Sequence, residues 1–247
     1  FKPPTARQPM QALSIVIPCY NEEDGIPQLA EQLKPVIKKL NENYTVELIF
    51  VDDGSRDNTN VLLHNYFPSD TILTHETNKN LGAALRTGFA HAHGDIVAAL
   101  DSDCTYHPSV LTQMLPLLDD STAIVTVSPY HPQGSVENVP AYRLFLSKSV
   151  SAIYRMLLKS DLHTYTAMVR VYKKDVVKNI HIQSNTFMGV TEILAKALLR
   201  GYKAKEVPVT LTARKFGISK MKTARAIRDH LKLIRSLVAY RFWSSEL

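Results

Sequence analysis

The stretch GDIVAALDSDCTYHP (94–108) reads as a short apolar strand, Ile96 to Leu100, running into two aspartates one residue apart, Asp101 and Asp103. A strand that ends in Asp-x-Asp fixes two carboxylates at one place on a sheet edge. Hard divalent cations take oxygen ligands, and Mg²⁺ is commonly held by one or two carboxylates together with substrate phosphates. The same pattern also fits a solvated acidic turn. What the rest of the chain puts beside it decides between the two.

Upstream, LSIVIPCY (13–20) is a β-branched run that reads as a buried strand and meets Asn21-Glu22-Glu23-Asp24. A helical pattern follows, with Ile26, Leu29, Leu33, Ile37 and Leu40 at three- and four-residue spacing. TVELIFVDDGS (45–55) is a second strand, ending in Asp52-Asp53-Gly54-Ser55. Asp57 then reads as a helix N-cap, its side-chain oxygen free to accept first-turn amides, before a helix carrying Val61, Leu62, Leu63 and Tyr66. TILTHE (71–76) is a third strand, and Asn78-Lys79-Asn80-Leu81-Gly82 leads into a helix from Ala83 to His91. Beyond the opening stretch, Pro108 starts a helix, and STAIVTVS (121–128) is a fifth strand.

Strands alternating with helices imply βαβ units and a mostly parallel sheet flanked by helices, an α/β class. Every strand-end turn then opens on one edge, where ligands bind in open α/β sheets. Glu22, the Asp52–Asp53 pair and the Asp101–Asp103 pair all fall there. Carboxylates distant in sequence converge on one crevice, which favours a metal-diphosphate site over a solvated turn.

Past residue 128 the pattern loosens. SPYHPQGSVENVP (128–140) reads as a long, functional loop. Tyr142 to Leu158 is helical, with Leu144, Phe145, Val150, Ile153, Tyr154 and Leu157 on its apolar side. TYTAMVRVYKK (164–174) reads as a strand, Thr191 to Arg200 as a helix ended by Gly201, and Tyr202 to Leu211 as a strand. A short basic turn, Arg214 to Lys220, precedes an amphipathic helix from Met221 to Trp243. Its apolar stripe (Ala224, Ile227, Leu231, Ile234, Leu237, Val238) suits a packed helix. Its basic residues and terminal aromatics equally suit a helix lying in a membrane interface.

The 247 residues, 45% hydrophobic and 21% charged, supply a sizeable core, and a net charge of +6 favours acidic partners. Two cysteines, Cys19 and Cys104, give no disulfide framework and no CxxC; they read as packing residues of a reducing, cytoplasmic compartment. No stretch has the length of a membrane span, and no signal peptide is visible. A start at Phe1 rather than Met leaves open a span outside this chain. His163 and His181 lack metal-ligand spacing, and no nucleic-acid-binding motif is present, so nucleic acid is not an expected partner.

VIPCYNEE (16–23), VDDGSRDNT (51–59), NKNLGAALRTGF (78–89), DSDCTYHP (101–108) and RKFGISKM (214–221) together resemble the family-2 glycosyltransferases in order and spacing, over roughly residues 13 to 235. Within them the chain is similar to the polyprenyl-phosphate glycosyltransferase branch, whose type member is dolichyl-phosphate mannose synthase. The resemblance implies a GT-A, Rossmann-like nucleotide-sugar fold over 13–220. Residues 13–128 would form the nucleotide-sugar half and 129–220 the acceptor half, between a flexible arm (1–12) and the C-terminal helix (221–247). It implies inverting transfer of a hexose from a nucleotide diphosphate sugar, such as GDP-mannose or a UDP-sugar, to a polyprenyl phosphate such as dolichyl or undecaprenyl phosphate. The enzyme would sit peripherally at the cytosolic face of a membrane, held by its C-terminal helix. By the same resemblance Pro18, Tyr20, Glu22 and Asp52 hold the nucleotide with Asp53 beside them, and Lys79 and Ser102 belong to the donor site. Asp101 and Asp103 sit at the diphosphate and its Mg²⁺ or Mn²⁺. Arg143, Arg214, Ser219 and Lys220 surround the donor and acceptor phosphates; Asp103, Arg143, Arg214 and Lys220 are the expected catalytic set.

Charge develops on the departing diphosphate, and a divalent cation stabilises it as a Lewis acid, with arginine and lysine acting from the other side. A lipid phosphate is already anionic, with a second pKa of about 6 for a monoester, and needs little or no general base. The sequence departs from the family on the acceptor half. Ser128-Pro129-Tyr130 stands where Ser-Arg-Tyr is common, and DLHTYTAMVR (161–170) replaces an Asp-x-x-Ser-Gly-Phe-Arg-like segment, with Arg170 a candidate to restore lost positive charge. Two alternatives therefore stand beside the lipid-phosphate reading. One is a same-fold transferase onto a glycan or small-molecule hydroxyl, with Asp161 or Glu192 as base; the other is a non-catalytic nucleotide-binding protein. His107 reads as either a capping or a crevice residue.

Overall fold

The computed structural model describes residues 10–212 and 223–243. Its strands are β1 (Gln11–Cys19), β2 (Tyr44–Asp52), β3 (Thr71–Thr74), β4 (Ile96–Ala99), β5 (Ile124–Ser128), β6 (Ser135–Glu137), β7 (Arg170–Lys173), β8 (Ala204–Pro208) and β9 (Thr210–Thr212). Its helices are α1 (Ile26–Leu40), α2 (Thr59–Tyr66), α3 (Leu81–His91), α4 (Leu111–Met114), α5 (Ala141–Leu158), α6 (Lys174–Asn179), α7 (Met188–Leu199) and α8 (Thr223–Trp243). Seven strands make one sheet in the order β3-β2-β1-β4-β7-β5-β8. All run parallel except β7, which is antiparallel to β4 and β5. The fold is the expected α/β sheet flanked by helices.

Successive side chains of a strand point to opposite faces, and both faces of this sheet are covered. Leu13, Ile15 and Ile17 of β1 pack on one side with Ile26, Leu29 and Leu33 of α1 and with Leu111 and Met114 of α4. Val16 joins Ile49 and Val51 of β2 on the other side, against α3, α7, Tyr154 of α5 and Leu237 of α8. Burial on both faces is why these strands read as continuous apolar runs rather than alternating ones.

Several elements differ from expectation. The stretch 164–174 is a strand only at Arg170–Lys173; residues 164–169 are irregular. The helix begun by Pro108 is broken into a 3₁₀ turn, the single turn α4 and a second 3₁₀ turn containing Pro116, whose ring removes an amide donor. The loop 128–140 contains β6, which pairs in parallel with β9 in a separate two-stranded sheet. The run 202–211 accordingly splits after Pro208 into β8 and β9. The N-cap of α2 is Asn58 rather than Asp57; Asp57 accepts the Thr59 amide at 3.0 Å from one residue further out.

The tail helix packs. Leu237 is fully buried, Leu233 and Ile234 are partly so, and the Tyr154 hydroxyl and His230 Nδ1 lie 3.1 Å apart. No helix among the described residues is long and apolar enough to cross a membrane.

Candidate active site

Because β2, β1 and β4 are parallel neighbours, their C-terminal ends share one edge. Cys19 pairs with Asp52 in register, and the Leu100 amide donates to the Val16 carbonyl at 3.0 Å. Glu22 follows β1, Asp52 ends β2 and Asp101 follows β4, so the three acidic strand ends are brought together as expected.

The turns after β1 and β2 are knitted to each other. The Asn21 amide donates to Ser55 Oγ (2.9 Å), the Arg56 amide to Asn21 Oδ1 (2.8 Å) and the Glu22 amide to Thr59 Oγ1 (2.7 Å). Asn21 takes a positive φ of 51° to make this turn. Pro18 is buried, and Tyr20 and Glu22 are half-buried at its mouth. Asp52 is only 1% exposed; its carboxylate accepts the Ser55 amide (3.0 Å) and the Asn60 amide group (2.9 Å). Asp53 is buried beside it and Lys79 is exposed. Cys19 lies beneath, its thiol pushed well up by burial and then by Glu22 and Asp52, which keeps it an un-ionised packing residue.

Past β4, Asp101 and Asp103 are half-buried and Ser102 between them is buried. Asp103 accepts the Thr105 amide at 2.9 Å, and Cys104 takes a positive φ of 52° in the turn. Burial, then Asp103 and Asp101, push the Cys104 thiol up to about 12. That shift keeps the free thiol protonated at neutral pH. Among the described residues no group of three or more His, Cys, Asp or Glu is placed to hold a metal ion. Among the described residues the Asp101–Asp103 pair is the candidate donor set past β4. Two carboxylates fit a cation that is bound jointly with a substrate diphosphate rather than caged by protein.

A cavity of about 240 Å³ opens beside Asp101. Its walls come from the turn after β4 (Thr105, Tyr106), the turn after β5 (Tyr130), Ser147 of α5 and the irregular segment before β7 (Thr164, Thr166). Because β7 runs against its neighbours, the segment that enters it lies at the same sheet edge as the ends of β4 and β5. Burial and then Asp101 hold the Tyr106 hydroxyl far above its ordinary ionisation range, and burial raises Tyr130. Among the described residues Asp101 is the one carboxylate lining this cavity. The hydroxyls of Ser147, Thr164 and Thr166 were not expected as site residues. Tyr106 lay inside the DSDCTYHP motif and was the one available signal.

Three acceptor-side expectations are corrected. Arg170 is fully buried and restores no charge to the cleft. Its guanidinium donates to Thr126 Oγ1 (3.1 Å), to the Tyr165 carbonyl (2.6 Å) and to the Val190 carbonyl, and so ties β7, β5 and α7 together. Glu192 is no base for a hydroxyl acceptor. It is buried, accepts the amides of Gln183 (3.1 Å) and Ser184 (2.8 Å), and pairs with Lys196 at 2.7 Å. Asp161 is exposed and does not line the cavity. His107, exposed, caps the 3₁₀ turn at Pro108, with Nδ1 accepting the Ser109 amide (3.2 Å). Arg143 falls in the first turn of α5. Arg214, Ser219 and Lys220 lie outside the described residues.

With this geometry in hand, comparison with known proteins is specific. The family model described as Glycosyl transferase family 2 matches residues 14–181. The chain is 30% identical over 228 residues to polyprenol monophosphomannose synthase of Mycolicibacterium smegmatis, covering 88% of this chain and 84% of the relative. It is 29% identical over 240 residues to dolichol-phosphate mannosyltransferase of Pyrococcus furiosus, covering 95% of this chain and 65% of that one. Among solved structures, glucosyl-3-phosphoglycerate synthase from Mycobacterium tuberculosis in complex with Mn²⁺, UDP and glucosyl-3-phosphoglycerate superposes with a TM-score of 0.67 at 18% identity, over 94% of this chain and 80% of that one; at that identity the likeness concerns the fold. The acidic strand ends, the fold and the family match agree: the chain belongs to glycosyl transferase family 2 and is a glycosyltransferase.

Proposed function

We propose that this glycosyltransferase moves a hexose from a nucleotide diphosphate sugar onto a polyprenyl phosphate, with inversion at the anomeric carbon. An acceptor phosphate oxygen attacks that carbon, the bond to the diphosphate breaks, and the nucleoside diphosphate leaves. The observation that carries this reading is the composition of the cavity beside Asp101. Among the described residues its titratable side chains are Asp101, which is assigned to the cation, and two tyrosines whose ionisation burial opposes. A hydroxyl acceptor would need a base there, whereas a phosphate acceptor arrives already anionic. The named activities of the two relatives above, both transferases onto polyprenyl phosphates, support the same acceptor class.

On the donor side, Asp52, Glu22, Tyr20 and Pro18 receive the nucleotide, and Asp101 and Asp103 hold a Mg²⁺ or Mn²⁺ at the diphosphate. When bound, that cation supplies Lewis-acid stabilisation of the leaving group. Arg143, Arg214, Ser219 and Lys220 are assigned to the donor and acceptor phosphates.

A peripheral position on a membrane is supported by α5. Tyr142, Phe145, Ile153 and Met156 recur along one stripe of that helix and are exposed, Phe145 by 71% and Met156 by 77%. Lys148, Arg155 and Lys159 run along its flank, also exposed. Exposed apolar residues beside a basic column suit a helix seated in a lipid interface with anionic headgroups. Ser147, on the opposite, inward face of the same helix, lines the cavity, so α5 has one face at the acceptor chamber and the other exposed. This adds α5 to the C-terminal helix as a membrane contact at the cytosolic face.

The test compares Lys220→Ala with the parent chain in transfer to a short polyprenyl phosphate and in hydrolysis of the donor. Selective loss of transfer is expected; equal loss of both would remove Lys220 from the acceptor side.

A further inference from the structure

Asp53, the second carboxylate of the Asp-Asp-Gly-Ser turn, is 3% exposed and already committed. Its Oδ1 accepts from His75 Nδ1–H at 2.6 Å and from the Lys79 amide at 2.9 Å; its Oδ2 accepts from the Asn78 side-chain amide at 3.0 Å. An ionised carboxylate offers about four acceptor sites, and three are taken by the segment that leaves β3. On the other side of the imidazole, His75 Nε2 lies 2.9 Å from Thr87 Oγ1 on α3. With Nδ1–H donating to the carboxylate, Nε2 accepts the threonine hydroxyl proton, so one neutral tautomer satisfies both contacts. The His75 amide donates to the Asp52 carbonyl at 2.9 Å. Four pieces of chain therefore meet at one buried pair: the end of β2, the end of β3, the loop 76–80 and helix α3.

The loop is also seated against bare backbone. Gly54 has a φ of +69°, and a Cβ there would come within 2.5 Å of the Thr77 carbonyl carbon. Lys79, on that loop, is exposed. Its main-chain amide is fixed by Asp53, and the loop borders the edge where Asp52 ends its strand.

We propose that Asp53 and His75 are positioning residues for the donor site: a buried pair that holds loop 76–80, and through it Lys79, in place to receive the nucleotide diphosphate. The inference rests on the reading of this sheet edge as a nucleotide site. It adds to the expected place of Asp53 beside the nucleotide a task of holding the loop. It also gives His75, inside the TILTHE strand, a function of its own.

The test is a double-mutant cycle on the full chain. UDP and GDP binding in Mn²⁺ is measured by calorimetry for the parent, His75→Leu, Lys79→Ala and the double variant, with melting temperatures alongside. His75→Leu is expected to weaken the nucleotide that binds by about tenfold, the worth of one hydrogen bond to a charged group. The loss is expected to be mostly absent once Lys79 is already alanine, because both changes act through the same cation. His75→Asn, whose amide takes the Nδ1 position and still donates to Asp53, is expected to restore most of the affinity. If His75→Leu does not fold, Asp53→Asn replaces it in the cycle. Nucleotide affinity unchanged in a folded His75→Leu or Asp53→Asn, or losses that add fully to Lys79→Ala, would overturn the positioning role. Failure of the parent chain to bind either nucleotide would overturn the site reading itself, which is a different result.

Discussion

Replacing Glu192 by glutamine separates two accounts of the acceptor half. The carboxylate is buried within a closed set of partners: the Gln183 amide (3.1 Å), the Ser184 amide (2.8 Å) and Lys196 Nζ (2.7 Å), with Lys196 also donating to the His181 carbonyl (3.0 Å). Side-chain exposure is 4% for Glu192 and 7% for Lys196. Glutamine keeps the volume and one acceptor but removes the charge. A buried ammonium is left facing a neutral amide, and breaking such a pair costs about 3–5 kcal/mol. In a chain of this size that lowers the melting temperature by roughly 6–20 °C. Urea denaturation gives the free energy, and the pH–rate profile is recorded on the same protein. Removing the charge at both positions, as in Glu192→Gln with Lys196→Met, is expected to recover part of the stability, since the orphaned cation is gone. The pH profile of the folded single variant is expected to keep its shape. A Glu192→Gln protein as stable as the parent within about 1 kcal/mol, but with turnover lost together with the acid limb of the profile, would refute this reasoning. It would return Glu192 to the role of a base for a hydroxyl acceptor.

Three further outcomes are expected. Asp103→Asn should cut turnover by about 10²-fold or more at an unchanged melting temperature, because Asp103 is half-exposed and is the proposed partner of the cation; near-normal rates in saturating Mn²⁺ would remove it from the metal. Arg170→Met should destabilise the fold by about 2–4 kcal/mol by orphaning the Tyr165 and Val190 carbonyls, read by urea titration, while a direct acceptor role would instead show as lost activity in a protein of parental stability. Burial holds His230 below the ordinary histidine value, with Asp229 opposing, so the neutral ring is the folded form. Its contribution is full above the unfolded pKa of about 6.5 and is lost as pH falls through the lower folded-state value. Hydrogen exchange in α8 should therefore quicken at mildly acid pH, after correction for intrinsic rates, and His230→Gln should blunt that dependence. Unchanged protection across this range would contradict the role of the Tyr154 contact.

The donor half could be read from sequence because its signals are local. Strands β1 and β2 are buried on both faces, so each is a continuous apolar run, and the first carboxylate after the run marks the sheet edge. The acceptor half could not be read in this way, because its partners are distant. Arg170 has the composition of a surface cation, and its burial depends on carbonyls contributed by residues 165 and 190. Thr164 and Thr166 carry β-propensity, yet their segment is irregular and its hydroxyls line a cavity; only tertiary context distinguishes the two outcomes. Glu192 sits near the start of a helix in which ten residues are buried, and its two amide partners are fixed by the path of loop 181–187. Phe145 and Ile153 were placed on the apolar side of α5, and they are apolar, but they face outward. The amphipathic pattern locates a stripe without saying whether protein or lipid covers it.

The central claim is transfer to a lipid phosphate, and acceptor discrimination tests it most directly. A panel of GDP- and UDP-sugars with Mn²⁺ is incubated with a short polyprenyl phosphate or with the matching polyprenol, and lipid-linked sugar is scored after extraction. The account predicts product from at least one donor with the phosphate and none with the alcohol, since among the described residues the cavity's one carboxylate, Asp101, is assigned to the cation and burial opposes ionisation of its tyrosines. Equal transfer to the alcohol, or nucleotide binding with no lipid-linked product from any donor, would contradict it.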